Sequence, residues 1–495
     1  MNPHILLYSD NAPMGGVYQY NHSMLCKFAT SDFRVSAVQL EHSNSLSDRQ
    51  QELGVEQYWL DGEFLSGYSR SFTDLKTPRE LLSQIQPDLI LFSDGWPLGN
   101  FAAKQVALEL GIPYLIVVGF VDTNCVKVDR GDGIPYQQAV HYHYTQAKTA
   151  VAVSQENLNL LYNDFELPKD RGQVIYYGRP PEFFNPPNLE TRQRLRQEFE
   201  IPNDAVVCFT SARLAHVKGY DLQLEALEKL KQQSGWENLY FLWAGSGIRG
   251  ESVEQQIKQG VEKIGVGDRV KFLGERRDIP DLLEASDIYI LPSRAEGMPL
   301  AIMEAMAKGL PVIASAVSGI PEELADTGKL LPDPKIDPQE TINELAMTIQ
   351  NWVVNPKLRH SVGKACKQRA EGLFKEEQML SRYLEEIGKV WQNLSAQQSS
   401  SEASDTLSPE NVRSLKNNIY YACSIWQAWE RYHLEDLTGM AEALEISLKH
   451  TQLLPTETIL DWIDSFGKFF QENGKKFNAY PLCQSAEWQK LTNPN

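Results

Sequence analysis

Short apolar runs alternate with amphipathic stretches from the first residues onward, a rhythm that predicts parallel sheets built from strand–helix–strand units. Two such series are present. The first places strands near residues 4–9, 33–40, 88–93, 113–118, 149–154 and 173–176, and the second near 205–210, 238–244, 269–273, 287–291 and 311–315. Helical spacing fills the intervals. One of these helices opens at Thr77-Pro78-Arg79-Glu80, with Thr77 as the cap, Pro78 in the first turn and Glu80 closing a capping box. Between the series lie Gly178-Arg179-Pro180-Pro181 and Asn185-Pro186-Pro187, turn-prone residues that mark a linker. The expected architecture is therefore α/β, with one domain built on a parallel sheet over 1–178 and a second over 179–374.

Beyond residue 337 the period is helical. The segment 375–394 carries Leu380, Tyr383, Leu384, Ile387 and Trp391 at helical spacing. Serine-rich residues 395–407 predict a flexible linker. Ser408-Pro409-Glu410 then restarts helix as a cap followed by proline, and 408–495 reads as a helical extension with its own aromatic core, including Tyr420, Trp426, Trp462 and Phe466. Its composition permits a homo-oligomer contact, a protein-docking surface or a stabilising cap.

A chain of 495 residues fits this division at about 150 residues per domain. With 42% hydrophobic and 23% charged residues it is an ordinary globular composition, not a disordered one. The longest apolar runs, such as Ile112 to Val121, fall short of the roughly 18–20 residues that cross a bilayer. Ile5-Leu6-Leu7-Tyr8 lacks a basic flank and reads as a first strand rather than a secretory leader, so the expected location is cytosolic. Six cysteines without a C-x-x-C pair predict reduced, buried thiols and no structural zinc. A net charge of −18 repels phosphate backbones, so no nucleic-acid partner is expected.

Ligands of open parallel sheets bind beyond the carboxyl ends of the strands, and four such loops carry distinctive chemistry. Gly15 and Gly16, after the first strand, let backbone amides approach an anion at a helix N-terminus, although a plain turn explains them equally well. Ser211-Ala212-Arg213-Leu214-Ala215-His216-Val217-Lys218-Gly219 places Arg213 and Lys218 in one strand-to-helix loop, a pair suited to phosphate oxygens. Gly245-Ser246-Gly247-Ile248-Arg249-Gly250 satisfies G-x-G-x-x-G and invites a dinucleotide reading, with Glu275 as the supporting acid. That fingerprint normally occupies the first turn of its fold, and here it follows a second strand. Glu296-Gly297-Met298-Pro299-Leu300-Ala301-Ile302-Met303-Glu304 sets two carboxylates about a helix start, with Pro299 in the first turn and Gly309 just past the end. The amides of Gly297 to Leu300 would then face the same crevice as both acids.

Arg213 with Lys218, the Gly-Ser-Gly loop, the Glu-x7-Glu segment and Ser318-Gly319-Ile320-Pro321-Glu322 together resemble the retaining glycosyltransferases of family 4, which have the GT-B fold. The similarity covers roughly residues 1–394 and is most specific over 205–325. It implies two facing, doubly wound Rossmann-like domains, with the helix 375–394 crossing back onto the first. It implies a nucleotide-diphosphate sugar as donor, with Glu304 on the ribose, Arg213 and Lys218 on the diphosphate, and Glu296 with Gly297, Met298, Pro299 and Leu300 on the donor sugar. Gly245 and Gly247 would line the same site, and Gly15 and Gly16 would reach the diphosphate from the other domain. The resemblance further implies retention of anomeric configuration with no cofactor and no strictly required divalent metal. The acceptor, whether glycan, glycolipid or small molecule, is not specified, and surface polysaccharide or glycolipid assembly at the inner face of a membrane is a family-level expectation.

One departure stands out. The family commonly carries a histidine after the fourth N-terminal strand, often followed by aspartate, but this chain reads Val117-Val118-Gly119-Phe120-Val121-Asp122-Thr123. Asp122 is the nearest candidate for its place, and the loss keeps open a catalytically silent scaffold that uses 408–495 to bind a partner. His141 and His143 follow in a helical segment, pointing about 200° apart at 100° per residue, so they are not expected to share a ligand.

Overall fold

A computed structural model describes residues 2–11, 15–40, 45–60, 74–121, 136–247, 253–399 and Gly439. Two compact units emerge. One holds the described residues of 1–151, 158–173 and 386 onward, and the other holds 152–157 and 174–385.

The first sheet and its helices run β1 (His4–Tyr8), α1 (Gly16–Ala29), β2 (Arg34–Leu40), α2 (Ser45–Glu52), β3 (Glu56–Leu60), α3 (Lys76–Ile85), β4 (Leu89–Asp94), α4 (Phe101–Glu109), β5 (Tyr114–Val118), α5 (Tyr136–Gln146), β6 (Thr149–Ala152), α6 (Gln155–Asp164) and β7 (Gly172–Val174). Its seven strands lie in the order β3-β2-β1-β4-β5-β6-β7. The apolar runs at β1, β4 and β5 are fully buried because helices cover both faces of a parallel sheet. Strand β3 was not expected. As an edge strand it is only partly buried, so Glu56-Gln57-Tyr58-Trp59-Leu60 lacks the apolar run that marks an inner strand. The cap of α3 also differs from the expectation. Asp74, not Thr77, closes the helix start, its Oδ1 accepting from the amides of Lys76 and Thr77 at 3.0 Å each while the Thr77 hydroxyl donates to Oδ2 at 2.6 Å.

The second unit continues with α7 (Leu189–Glu198), β8 (Val206–Ser211), α8 (Tyr220–Leu230), β9 (Leu239–Ala244), α9 (Val253–Lys263), β10 (Val270–Gly274), α10 (Ile279–Ala285), β11 (Ile288–Leu291), α11 (Leu300–Lys308), β12 (Val312–Ser315), α12 (Ile320–Leu324), β13 (Lys329–Leu331), α13 (Pro338–Val354), α14 (Pro356–Leu373) and α15 (Glu376–Ser399). Six strands lie in the order β10-β9-β8-β11-β12-β13, every pairing parallel. The core sits between β9 and the helices on one face. Trp243 packs edge-on against Tyr220 and Phe272, and Leu345, Ile349 and Trp352 of α13 close over the same cluster. The short edge strand β13 escapes a reading by periodicity because three residues are too few to show alternation.

The closing helix differs from the expected 375–394 by running on to Ser399. Ser395 does not break it, because its hydroxyl donates to the Trp391 carbonyl at 2.9 Å. Within the first unit, Thr149 Oγ1 donates to Glu386 Oε1 at 2.9 Å and seats this end of the helix beside β6. The rest of the expected linker and the extension 408–495 lie outside the described residues apart from Gly439. Among the described cysteines, Cys208 and Cys366 are buried and free as expected, whereas Cys26 is partly exposed.

Candidate functional site

Strands β8 and β11 are neighbours whose connections leave the sheet in opposite directions, so a crevice opens beyond their carboxyl ends. Three loops converge there. The 212–219 loop lies against the 292–299 loop so closely that a Cβ on Gly219, at φ +71°, would stand 2.1 Å from the Pro292 carbonyl oxygen. Only glycine meets both demands. Arg294 locks the contact, its amide donating to Val217 O at 2.7 Å and its guanidinium gripping the Asp221 carboxylate at 2.8 and 2.6 Å. The third loop joins through Gly319, whose amide donates to Gly297 O at 3.0 Å, and through Ser318, whose hydroxyl accepts from the Glu296 amide at 3.3 Å.

Both expected carboxylates are buried in this crevice and each has one oxygen engaged. Glu296 Oε1 accepts from Lys218 Nζ and from Ser293 Oγ, each at 2.6 Å. Glu304, on α11, pairs through Oε1 with Arg179 Nη2 at 2.7 Å. Burial raises the Glu304 carboxyl above its usual range and Arg179 pulls it back down. Oε2 of either glutamate accepts from no group among the described residues. The two acids share a neighbourhood, since both add to the upward push that burial gives the Tyr289 hydroxyl. That hydroxyl is itself tied to Ser211 at the end of β8.

Arg213 lies in the same loop as Lys218 but is exposed, and its guanidinium has no hydrogen bond or ion pair among the described residues. The amides of Gly297 and Met298 likewise donate to no acceptor among the described residues. Pro299 departs from its expected first-turn place. It is the N-cap of α11, with extended φ −72° and ψ 115°, and Leu300 is the first helical residue. A proline has no N–H to offer, so the available amides are those of Gly297, Met298 and Leu300. Gly309 ends the helix at φ +81° as expected.

Gly245 and Gly247 serve loop packing. A Cβ on Gly245 would stand 2.0 Å from Ala212 O, and the Gly247 amide already donates to Glu254 Oε2 at 2.6 Å. Glu275, the acid a dinucleotide reading calls on, accepts from Ser246 Oγ at 2.8 Å. Among the described residues of this loop the Gly247 amide and the Glu275 acid are both engaged, and β9 is removed from the switch point, which disfavours a dinucleotide cradle. Ile248, Arg249 and Gly250 lie outside the described residues.

In the first unit Gly15 caps α1 at φ +81° and Gly16 opens it. The comparable switch point lies between β1 and β4. Asp10 and Asn100 exchange amide hydrogen bonds across it, both at 2.8 Å. Beneath them Asp94 is fully buried, accepting from Lys104 Nζ at 2.5 Å, Asn100 Nδ2 at 2.8 Å and Tyr144 OH at 3.2 Å. Burial pushes the Asp94 carboxyl up to about 7. Asp122 lies outside the described residues. His143 is buried beside Gln105, while the His141 ring meets Phe165 O at 2.7 Å, so the two occupy separate surroundings.

Sequence reasoning passed over Ser293, Arg179 and the Arg294–Asp221 pair. Arg179 stood in the sequence only as part of a turn-prone linker, and nothing local links it to an acid on α11. Arg294 and Asp221 follow strands that become neighbours only in the folded sheet.

The class of protein now follows from comparison. Residues 191–369 match the family model for glycosyl transferases group 1, so this part of the chain is similar to that family. It is 29% identical over 181 residues to mannosylfructose-phosphate synthase of Agrobacterium fabrum, an alignment covering 36% of this chain and 39% of the relative. It is 32% identical over 156 residues to the lipopolysaccharide core biosynthesis mannosyltransferase LpsB of Rhizobium meliloti, covering 30% and 42% respectively. The chain thus spans about two fifths of the length of the curated relatives it matches. Its fold is shared over 78% of its length with all of Anabaena Alr3699/HepE, solved in complex with UDP and glucose, at TM-score 0.65 and 18% identity. Sucrose-phosphate synthase from Thermosynechococcus elongatus is similar over 80% of this chain and 99% of its own, at TM-score 0.62 and 20% identity. The two-sheet α/β architecture is therefore the GT-B fold. No helix among the described residues is long and apolar enough to cross a membrane.

Proposed function

We propose that this chain is a retaining glycosyltransferase that moves a sugar from a nucleotide-diphosphate sugar to a hydroxylated acceptor. The observation that carries the reading is the pair of buried glutamates, each with Oε1 held by a cation and, among the described residues, with Oε2 unengaged, beside two amides without an acceptor among the described residues and an exposed arginine. Glu304 accepts from the ribose hydroxyls. Glu296 accepts from a donor-sugar hydroxyl, with the amides of Gly297 and Met298 facing the same group.

The chemistry is management of charge. As the bond from the anomeric carbon to the diphosphate oxygen breaks, the electron pair leaves with the diphosphate and positive charge gathers on the sugar. Arg213 offers a planar fork to phosphate oxygens. Lys218 gives one of its three ammonium hydrogens to Glu296 and keeps two for the leaving group. Two side-chain cations and a helix N-terminus then neutralise the diphosphate, so the reading requires no divalent metal and predicts turnover in EDTA. Attack by the acceptor hydroxyl on the face the leaving group vacates gives retention, the new C–O bond replacing the one to the diphosphate while the hydroxyl proton passes to the departing diphosphate oxygen. Asp122 is the proposed stand-in for the family histidine, and Gly15 and Gly16 the proposed amides from the first unit. A UDP-sugar is the first donor to test, because Alr3699/HepE was solved with UDP and with UDP-glucose.

The test is a panel of UDP-, GDP- and ADP-sugars, followed by the anomeric configuration of the product by NMR. Transfer or donor hydrolysis lost in Arg213→Ala supports the reading. Nucleotide binding without turnover of any donor supports the scaffold alternative, and no binding of UDP, GDP or ADP overturns both.

A further inference from the structure

Arg179 lies far from Glu304 in sequence, in the segment that precedes α7, yet the fold joins them. The side chains meet at 2.7 Å and are 8% and 9% exposed, so neither moves freely into solvent. The guanidinium also lies 4.9 Å over the Phe183 ring, which covers one of its faces. Its backbone is clamped on both sides. The Arg179 amide donates to Phe374 O at 2.8 Å, and its carbonyl accepts from the Glu376 amide at 3.0 Å. Gly178 makes that approach feasible, since a Cβ there would stand 2.5 Å from Glu376 Cα.

A cation held this firmly does two things to a buried carboxylate. It offsets the penalty of keeping the charge out of water, and it fixes the rotation of the carboxylate by engaging one oxygen. We propose that Arg179 is a positioning residue for the nucleotide site, holding Glu304 Oε1 so that Oε2 is presented, charged and aimed, to the ribose diol. The proposal rests on the reading of Glu304 as the ribose acceptor. Affinity for a ribonucleotide then depends on a side chain from the connecting segment that acts through Glu304.

The discriminating measurement is the preference for a ribose diol. Titration calorimetry on the full chain would compare the tightest binder among UDP, ADP and GDP with its 2′,3′-dideoxy counterpart. Wild type should prefer the ribonucleotide about tenfold or more, the worth of one hydrogen bond to a charged group. In Arg179→Met the preference should fall toward unity, and Arg179→Lys, which restores a cation without the planar fork, should recover an intermediate value. A general loosening of the fold would weaken both ligands alike and leave the ratio unchanged. If Arg179→Met does not fold, the Lys variant decides, and a wild-type ratio there overturns the proposal. A wild-type ratio in Arg179→Met combined with a lost preference in Glu304→Gln overturns the proposal alone. An unchanged ratio in Glu304→Gln, or no nucleotide binding by wild type, overturns the ribose reading and the proposal with it.

Discussion

Arg213→Ala separates function from stability more cleanly than any other substitution in the site. The side chain is exposed and its guanidinium has no partner among the described residues, so its removal leaves no buried charge and no cavity. Exposed changes of this kind typically fall within about 0.5 kcal/mol, which for a domain of this size shifts Tm by less than about 2 °C. Its expected contribution to catalysis is much larger. Removing one donor that stabilises transition-state charge typically costs about 10² to 10³ in rate, or about 2.7 to 4 kcal/mol. The assay pairs thermal melting of the free protein with kcat/KM for donor hydrolysis on the same preparation. The expected result is an unchanged Tm with kcat/KM down at least a hundredfold. A second reading comes from nucleotide-induced stabilisation, about 2.7 kcal/mol at a ligand concentration of 100 Kd, which should shrink when UDP is held at the same concentration. An Arg213→Ala protein with undiminished kcat/KM would refute the assignment of the diphosphate to this loop. A large fall in the Tm of the free protein would show that the residue has a structural partner and would refute the separation itself.

Further outcomes follow from the same geometry. Lys218→Met, unlike Arg213→Ala, strips the cation from the buried Glu296, so it should lower both activity and stability, the latter by about 2–3 kcal/mol in denaturant titration because Lys218 is partly exposed. Gly219→Ala sets a Cβ 2.1 Å from Pro292 O in a left-handed backbone; it should cost more than about 1 kcal/mol and weaken nucleotide binding by parting the two loops. Asp94→Asn leaves Lys104 buried without its carboxylate and should destabilise by about 3–5 kcal/mol in denaturant titration above pH 7, where the wild-type carboxyl is ionised. Burial holds the His143 imidazole well below its ordinary 6.5, so the unfolded chain takes up a proton that the folded one refuses. Its contribution is present above 6.5 and declines as pH falls: relative to His143→Gln, wild type should lose about 1.4 kcal/mol for each pH unit below that value until the folded imidazole itself titrates. Parallel denaturation curves at pH 7 and pH 5 check this, and an equal loss in both proteins would refute it.

How much of this was legible along the chain differs from element to element. The inner strands of both sheets stand out because a parallel sheet covered on both faces demands continuous apolar runs, as in Tyr114-Leu115-Ile116-Val117-Val118. The edge strands β3 and β13 did not, since half-exposed or very short strands leave no such run. Helix starts were legible only in part. The acidic cap at Asp74 lies outside the residues that local pattern singles out, and Pro299, expected in the first turn, is instead the extended N-cap. Arg213, Lys218, Glu296 and Glu304 could be picked out because strand-to-helix loops with cations, glycines and acids are rare and lie at predictable ends of strands.

Sequence alone pointed to the two-sheet α/β plan, to turn-prone residues near Gly178 and to four loops of distinctive chemistry, whose nucleotide-diphosphate reading came from the family resemblance. These depend on local periodicity and on the kinds of side chain each loop carries. Tertiary structure alone decided which oxygen of each glutamate is occupied, that Arg179 and Lys218 do the holding, and that Gly245 packs against the Ala212 carbonyl. The reason is that these contacts join segments far apart in the chain, and only the folding of β8 beside β11 and β9, and of the Arg179 segment against α11, brings them within reach.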